Sequence, residues 1–124
     1  MTISLKRVYE QATPEDGYRV LVDRLWPRGV SKEKAQLEEW LKEAAPSDEL
    51  RQSFHKGDLS WDEFRRCYLS ELKDHRDALR QLAERAERER VTLVFSSRNT
   101  ERNNAVVLKQ YLEMFEVAPG EASP

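Results

Sequence analysis

Residues 18–29 read Tyr18-Arg19-Val20-Leu21-Val22-Asp23-Arg24-Leu25-Trp26-Pro27-Arg28-Gly29, and this stretch decides the fold. Its first half is apolar at nearly every central position, which is typical of a β-strand buried on both faces of a sheet. A proline and a glycine then end the strand. Asp23, Arg24 and Arg28 therefore stand at the carboxyl end of a predicted buried strand. Open α/β proteins bind their ligands just outside that end of the sheet.

Two further strands are predicted, at residues 3–9 and 91–96, and apolar residues recur at helical spacing between and after them. This alternation predicts a compact three-layer α/β domain, in which helices cover a small, mostly parallel sheet of three or four strands. The domain is predicted to span residues 1–117. Residues 118–124 are small and polar, and we expect them to form a flexible C-terminal tail.

Serine residues mark the predicted helix starts. Ser31 and Ser47 are each placed to cap a helix, and Ser60 forms a capping box with Glu63. The helical pattern after Ser60 is longer than a usual globular helix, so two helices with a break near residues 73–75 are predicted. A last helix follows the strand at 91–96, with Asn99 or Thr100 as its cap. Residues 37–45 fit either a helix or a short strand, and the sequence leaves both open.

Composition argues against several function classes. The 124 residues carry a formal net charge of −2, with 35% charged residues, so a net basic domain of the kind that binds nucleic acid is not expected. No apolar run approaches the about 20 residues that span a bilayer, and the first residues lack the apolar core of a secretory signal. We therefore expect a cytoplasmic protein without a membrane segment.

Metal and thiol chemistry find little support in the sequence. Cys67 is the only cysteine, and it is predicted to lie within a helix, away from the N-terminus that would activate a thiol. The histidines His55 and His75 are isolated, so no metal-ligand spacing is present. No metal site is predicted, and the sequence identifies no cofactor.

Polar residues cluster where two predicted strands end. Arg24 and Arg28 follow the strand at 18–23, and a second polar segment follows the strand at 91–96 and leads into a helix. If the two strands are parallel neighbours, both segments open onto one edge of the sheet, next to a helix N-terminus that favours an anion. The alternative is a purely structural network. The predicted ligand-binding residues are Arg24, Trp26, Arg28, Ser97, Arg98, Asn99, Asn103 and Asn104.

Catalytic candidates are weaker than binding candidates. His55 is predicted to lie in a loop and is a candidate for proton transfer, because the imidazole group in general suits acid–base chemistry near neutral pH. Asp23 is a second candidate for that role. Neither has a partner that can be assigned from the sequence. Ser96 and Ser97 lie between a strand and a helix, as a nucleophile would, but no base is identifiable.

Several motifs between Leu5 and Leu112 together indicate a known family. They are Val20 to Gly29, Trp40-Leu41-Lys42-Glu43, Ala45-Pro46-Ser47, Leu50-Arg51, Phe54-His55, Trp61, Phe64, Tyr68, Val91-Thr92-Leu93 and Asn104-Ala105-Val106-Val107-Leu108. On these residues the chain resembles the YeaO-like branch of the domain-of-unknown-function 488 family.

The resemblance implies a small cytoplasmic α/β protein of bacteria or archaea, and it implies no established activity. Where relatives tend to carry Ala-Ala-Lys-Asp after the last strand, this chain has Ser96-Ser97-Arg98-Asn99, which suits anion binding better than proton transfer.

Two hypotheses of different classes follow. The first is a protein that binds a small phosphate- or carboxylate-bearing ligand at the carboxyl ends of its strands. The alternative is a non-catalytic interaction module or homodimer that uses the charged helical face at residues 74–90 and the apolar helix at residues 105–115.

Overall fold

The computed structural model of the chain describes residues 1–115, and four parallel strands form its sheet. The predicted α/β fold is confirmed, with four strands in the order β1-β4-β2-β3 and every neighbouring pair parallel. The predicted tail at 118–124 lies outside the described residues. The strands are β1 (Ile3–Arg7), β2 (Tyr18–Leu21), β3 (Glu39–Trp40) and β4 (Val91–Phe95).

Five α-helices are found among residues 1–115, and most begin where the sequence predicts. The hydroxyls of Ser31, Ser47 and Ser60 each accept a hydrogen bond from a backbone amide three residues later. A 3-10 turn at Lys73–His75 provides the predicted break. None of these helices has the length and apolar content that crossing a bilayer requires. The helices are α1 (Lys32–Ala35), α2 (Asp48–His55), α3 (Trp61–Leu72), α4 (Arg76–Arg88) and α5 (Asn104–Glu113).

The segment between α1 and α2 settles the ambiguity at residues 37–45. It forms the two-residue strand β3, which pairs with Val20 and Leu21 of β2, and then a 3-10 turn at Lys42–Ala44. Tertiary pairing with a buried neighbour decides the conformation of such a short run, because its own periodicity is too brief to do so.

The cap of α5 is the clearest local error of the sequence prediction. Asn103 caps this helix through a hydrogen bond from the Val106 amide at 3.0 Å, so neither Asn99 nor Thr100 has that role. The Asn99 side chain instead accepts hydrogen bonds from the amides of Glu101 and Arg102, at 3.0 and 2.9 Å. Asn99 thus closes a turn in the loop, and the helix begins several residues later than predicted.

Helices cover both faces of the sheet, as the three-layer prediction requires. The larger core lies on one face, where Val20, Leu93 and Phe95 pack beneath α2, α3, α4 and α5. The other face carries a smaller cluster, in which Leu21 and Val94 pack against α1 and the residues that flank it. The strands are therefore buried on both sides, as their apolar runs indicate.

A buried ionic cluster occupies the polar part of the second face. The carboxylate of Asp16 accepts hydrogen bonds from the Arg19 guanidinium at 2.8 Å and from the Lys6 ammonium at 3.0 Å. Arg19 also donates to the carbonyls of Ala35 and Gln36, which ties β2 to the end of α1. Burial raises the pKa of Asp16, but hydrogen bonds from the Thr13 amide, Lys6 and Arg19 outweigh this effect and leave that pKa below its ordinary value.

Strand order places two polar segments at one edge of the sheet. β2 and β4 are adjacent and parallel, with Leu21 opposite Val94. The Val22 amide extends the pairing by donating to the Val94 carbonyl at 3.0 Å. The residues that follow each strand, Asp23 and Ser96, therefore meet at the carboxyl edge, as the sequence analysis expects of parallel neighbours.

We predict that Asp16→Asn lowers the free energy of unfolding by about 3 kcal/mol at neutral pH, because it leaves the buried Arg19 and the half-buried Lys6 without a carboxylate. The native carboxylate has a lowered pKa, so its contribution is fully present above the ordinary value of about 4 and is lost as the pH falls through the lowered pKa. Urea unfolding of both proteins should therefore give a difference that shrinks in acid. Asp58→Asn, in an exposed loop, is the matched control. A difference that stays constant with pH would contradict the assignment.

Candidate functional site

The carboxylate of Asp23 joins the ends of two strands to the start of α5. Its Oδ2 accepts hydrogen bonds from the Ser96 amide at 2.9 Å and from the Ser96 hydroxyl at 2.7 Å. Its Oδ1 accepts one from the Asn104 side-chain amide at 3.0 Å, and Asn104 also donates to the Val22 carbonyl at 2.9 Å. These bonds hold β2, β4 and α5 together at the carboxyl edge of the sheet.

A pocket of about 440 Å³ opens beside this junction, and we call it the arginine pocket. Eight of its residues are predicted from the sequence, and they come from both strand ends and from α2. Nine others were not predicted. The predicted members are Asp23, Arg24, Trp26, Arg28, His55, Ser97, Asn103 and Asn104, and the others are Tyr9, Leu25, Pro27, Pro46, Arg51, Phe54, Phe64, Ser96 and Arg102.

Four guanidinium groups line the arginine pocket against a single carboxylate, that of Asp23. Within residues 1–115, no carboxylate lies within 4.0 Å of Arg24, Arg28 or Arg102. Arg51 lies 3.2 Å from Asp48, whose side chain is 63% exposed, so solvent screens that pair. The pocket is therefore strongly positive although the whole chain is slightly acidic.

Arg24 differs from the other three because backbone carbonyls hold its guanidinium. Its Nε donates to the Pro46 carbonyl at 2.9 Å and its Nη2 to the Ala45 carbonyl at 3.2 Å. The preceding carbonyl, that of Ala44, accepts a hydrogen bond from the Tyr68 hydroxyl at 2.6 Å. Arg24 thus fixes the wall at Pro46 while its charge stays unpaired with any carboxylate of the described chain.

Arg28 and Arg102 are exposed, and neither guanidinium makes a hydrogen bond to another described residue. The backbone of each residue is nevertheless fixed. The Tyr9 hydroxyl donates to the Arg28 carbonyl at 3.0 Å, and the Arg102 amide donates to the Asn99 side chain. Both side chains are therefore presented at the pocket by ordered backbone and remain available to an anion.

The remaining wall of the pocket is apolar. Phe54 and Phe64 stack with ring centroids 4.4 Å apart, and Trp61 extends the stack behind Phe64 at 5.8 Å. Trp26 packs edge-on against Trp40 at 5.4 Å, and its indole N–H donates to the Val30 carbonyl. The lining thus combines charged groups with aromatic rings that are already packed against their neighbours.

Arg98 and Asn99 lie outside the lining of the arginine pocket. Asn99 turns the loop through its bonds to the amides of Glu101 and Arg102, and the Asn103 side chain donates back to the Asn99 carbonyl at 2.7 Å. This turn leaves Arg98 exposed to solvent and places Arg102 at the pocket. The predicted cationic position is thus taken by a residue four positions further along the chain.

The weak catalytic candidates show no catalytic geometry. His55 is the last residue of α2 rather than a loop residue, it is exposed, and its side chain makes no hydrogen bond to the part of the chain described. Both carboxylate oxygens of Asp23 already accept hydrogen bonds, from Ser96 and from Asn104. The Ser97 hydroxyl accepts a hydrogen bond from the Asn99 amide and has no base beside it within residues 1–115.

Residues 1–115 contain no group of three metal-ligating side chains. Another cavity, of about 530 Å³, shares Tyr9 but has mixed charge, with Glu10, Glu33 and Lys34 in its lining. It borders the end of β1 but lacks the ends of β2 and β4 and the concentration of one charge that mark the arginine pocket.

Arg51 and Arg102 are the main residues that sequence reasoning missed. Arg51 and His55 lie four positions apart on α2 and share one face, and the helix that the sequence predicts after Ser47 was the available signal for Arg51. Arg102 directly precedes Asn103 in the sequence. A prediction of Asn103, rather than Asn99, as the helix cap would therefore have placed Arg102 at the start of α5. Neither signal reveals that α2 and the loop before α5 meet in space.

Comparison with known proteins places the whole chain in one family. A family model described as "Inactive DUF488-N3 subclade" (DUF488-N3i) matches residues 2–121. The uncharacterized protein YeaO of Escherichia coli (strain K12) is 47% identical over 112 residues, which cover 90% of this chain and 97% of YeaO. The uncharacterized protein Rv3073c of Mycobacterium tuberculosis (strain H37Rv) is 43% identical over 110 residues, 89% of this chain and 92% of Rv3073c.

No solved structure matches the chain. The family match nevertheless covers the strands, the helices and all the residues of the arginine pocket, and it agrees with the family resemblance of the sequence. The chain belongs to the DUF488-N3i family, the inactive DUF488-N3 subclade.

Proposed function

We propose that the arginine pocket binds a small anionic ligand that carries a phosphate or carboxylate group. The observation that carries this proposal is the convergence of Arg24, Arg28, Arg51 and Arg102 on one pocket whose lining holds a single carboxylate. Arginine binds the planar or tetrahedral oxygens of such anions through paired N–H donors. An unoccupied cluster of like charges is itself unfavourable, and a bound anion relieves that repulsion.

The position of the pocket supports the same proposal. It lies at the carboxyl ends of adjacent parallel strands, where open α/β folds bind ligands. The N-terminus of α5 also reaches it through Asn103 and Asn104. The partial positive charge at the start of a ten-residue helix adds to the attraction for an anion.

We favour binding without catalysis. Asp23 is engaged by three hydrogen bonds from Ser96 and Asn104, so it serves as a structural acceptor rather than a base. His55 has no orienting partner among the described residues. The description of the matched family as an inactive subclade agrees with a protein that holds its ligand rather than converting it.

The alternative of an interaction module receives less support. The apolar residues of α5 that it requires, among them Val107, Leu108 and Leu112, are fully buried in the protein's own core. The outer face of α4 is exposed and charged, at Arg80, Glu84 and similar positions, which solvent accommodates without a partner. We do not propose nucleic-acid binding, because the overall charge of −2 does not favour contact with a phosphate backbone. We also propose a cytoplasmic location, which suits an exposed, unpaired cysteine.

We predict that Arg28→Ala and Arg102→Ala each weaken the binding of inorganic phosphate about fivefold, or by about 1 kcal/mol, because each removes charged donors from the anion. Both side chains are exposed, so the fold should be retained. Affinity is measured by following backbone amide shifts of the pocket residues during an NMR titration.

Arg98→Ala is the matched control, because it removes the same charge from an exposed position outside the pocket lining. It should leave phosphate affinity nearly unchanged. If Arg98→Ala weakens binding as much as the two pocket variants, the attraction comes from overall charge, and the pocket proposal fails.

We further predict that Asp23→Asn lowers the free energy of unfolding by about 2 kcal/mol without weakening phosphate binding by the folded protein. The amide replaces a charged acceptor that joins β2, β4 and α5, and such bonds are stronger than neutral ones. Urea unfolding measures the first effect and the phosphate titration the second, with the exposed Asp74→Asn as control. Loss of phosphate binding by a folded Asp23→Asn variant would mean that the carboxylate contacts the ligand.

A further inference from the structure

We infer that the ligand of the arginine pocket is an organic anion with an aromatic ring, namely an aryl phosphate or an aryl carboxylate. This inference rests on the proposed anion-binding function and specifies the rest of the ligand. It follows from three features of the pocket: its size, the fixed rings in its wall and the exposure of Leu25.

The size of the pocket exceeds the needs of a simple anion. Its volume of about 440 Å³ falls within the range of roughly 300 to 1,000 Å³ that is typical of sites for small organic molecules. An inorganic phosphate would fill only a fraction of that space. The ligand therefore has a body in addition to its charged group.

The apolar part of the lining suits a flat apolar body. The stacked rings of Phe54 and Phe64 line the pocket, and buried Pro46 lies beside them, held at its carbonyl by Arg24. These groups are fixed before a ligand arrives, so binding costs little ordering entropy. An aromatic ring prefers such partners, in stacked or edge-on arrangements.

Leu25 is an apolar residue of the pocket whose side chain the fold leaves exposed. Its side chain is 56% exposed and belongs to neither hydrophobic core cluster, although it lies between Arg24 and Trp26 in the sequence. Covering this surface with a ring removes apolar area from water, which is favourable. Arg28 and Arg102 line the same pocket as these apolar residues. A single ligand can therefore contact both the arginines and the apolar residues only if it combines a ring with an anionic group.

The test compares ligands that differ only in the ring. Phenyl phosphate is titrated against methyl phosphate, and benzoate against acetate, by the NMR shifts of the pocket amides. We expect the aromatic member of at least one pair to bind about tenfold more tightly, a difference of about 1.4 kcal/mol. The pair with the larger ring preference identifies the anionic group as phosphate or carboxylate.

Two variants locate the source of the ring preference. Leu25→Ser should reduce the advantage of the aromatic ligand about threefold and leave methyl phosphate or acetate unaffected. Met114→Ser is the matched control, because Met114 is 60% exposed and lies outside the pocket. An equal loss in both variants would overturn the assignment of the ring to this wall.

The remaining outcomes separate the two proposals. If aromatic and aliphatic anions bind equally, and Arg28→Ala weakens both, the proposed function stands and the ring inference is overturned. If none of the four anions binds, the proposed function fails and the inference fails with it.

Discussion

The carboxylate of Asp23 is the interaction on which the rest of the site depends. It takes hydrogen bonds from the amide and hydroxyl of Ser96 and from Asn104, so one side chain joins two strand ends to the helix that follows. Asn104 returns a second bond to the carbonyl of Val22 and closes the junction. The arginines on either side of the junction are held at one pocket only because these segments are held together. A single half-buried carboxylate thus joins the segments that border the pocket.

The sequence predicts the regular parts of this protein well, because they follow from local patterns. Apolar runs indicate strands buried on both faces, and serine caps begin the helices where the structure has them. The loop before α5 is different, since Ser97, Asn99, Thr100, Asn103 and Asn104 can all cap a helix or close a turn. Bonds to distant residues decide among them, such as that from Asn104 to Val22. The same limit hid Arg51, whose place in the pocket depends on where α2 packs.

Identical side chains have different roles at this site because their neighbours differ. The guanidinium of Arg24 donates hydrogen bonds to the carbonyls of Ala45 and Pro46 and so fixes a wall of the pocket. The guanidinium of Arg28, in contrast, makes no hydrogen bond within the described structure. The net charge of the chain does not show such differences, because it is a sum over all residues. A chain with a net charge of −2 still concentrates four guanidinium groups around one carboxylate, and only the fold makes that local excess visible.

The position of β4 has a consequence for how the protein is made. β4 lies between β1 and β2, so Leu5 and Val20 both pair with Leu93, a residue that leaves the ribosome long after them. Until then the two earlier strands have no central neighbour, and their backbone groups remain unpaired edges that invite association with other chains. Such non-local pairing slows folding relative to helical proteins of similar size. The central pairing of the sheet, and the junction of strand ends that borders the pocket, therefore form only after β4 has been synthesised.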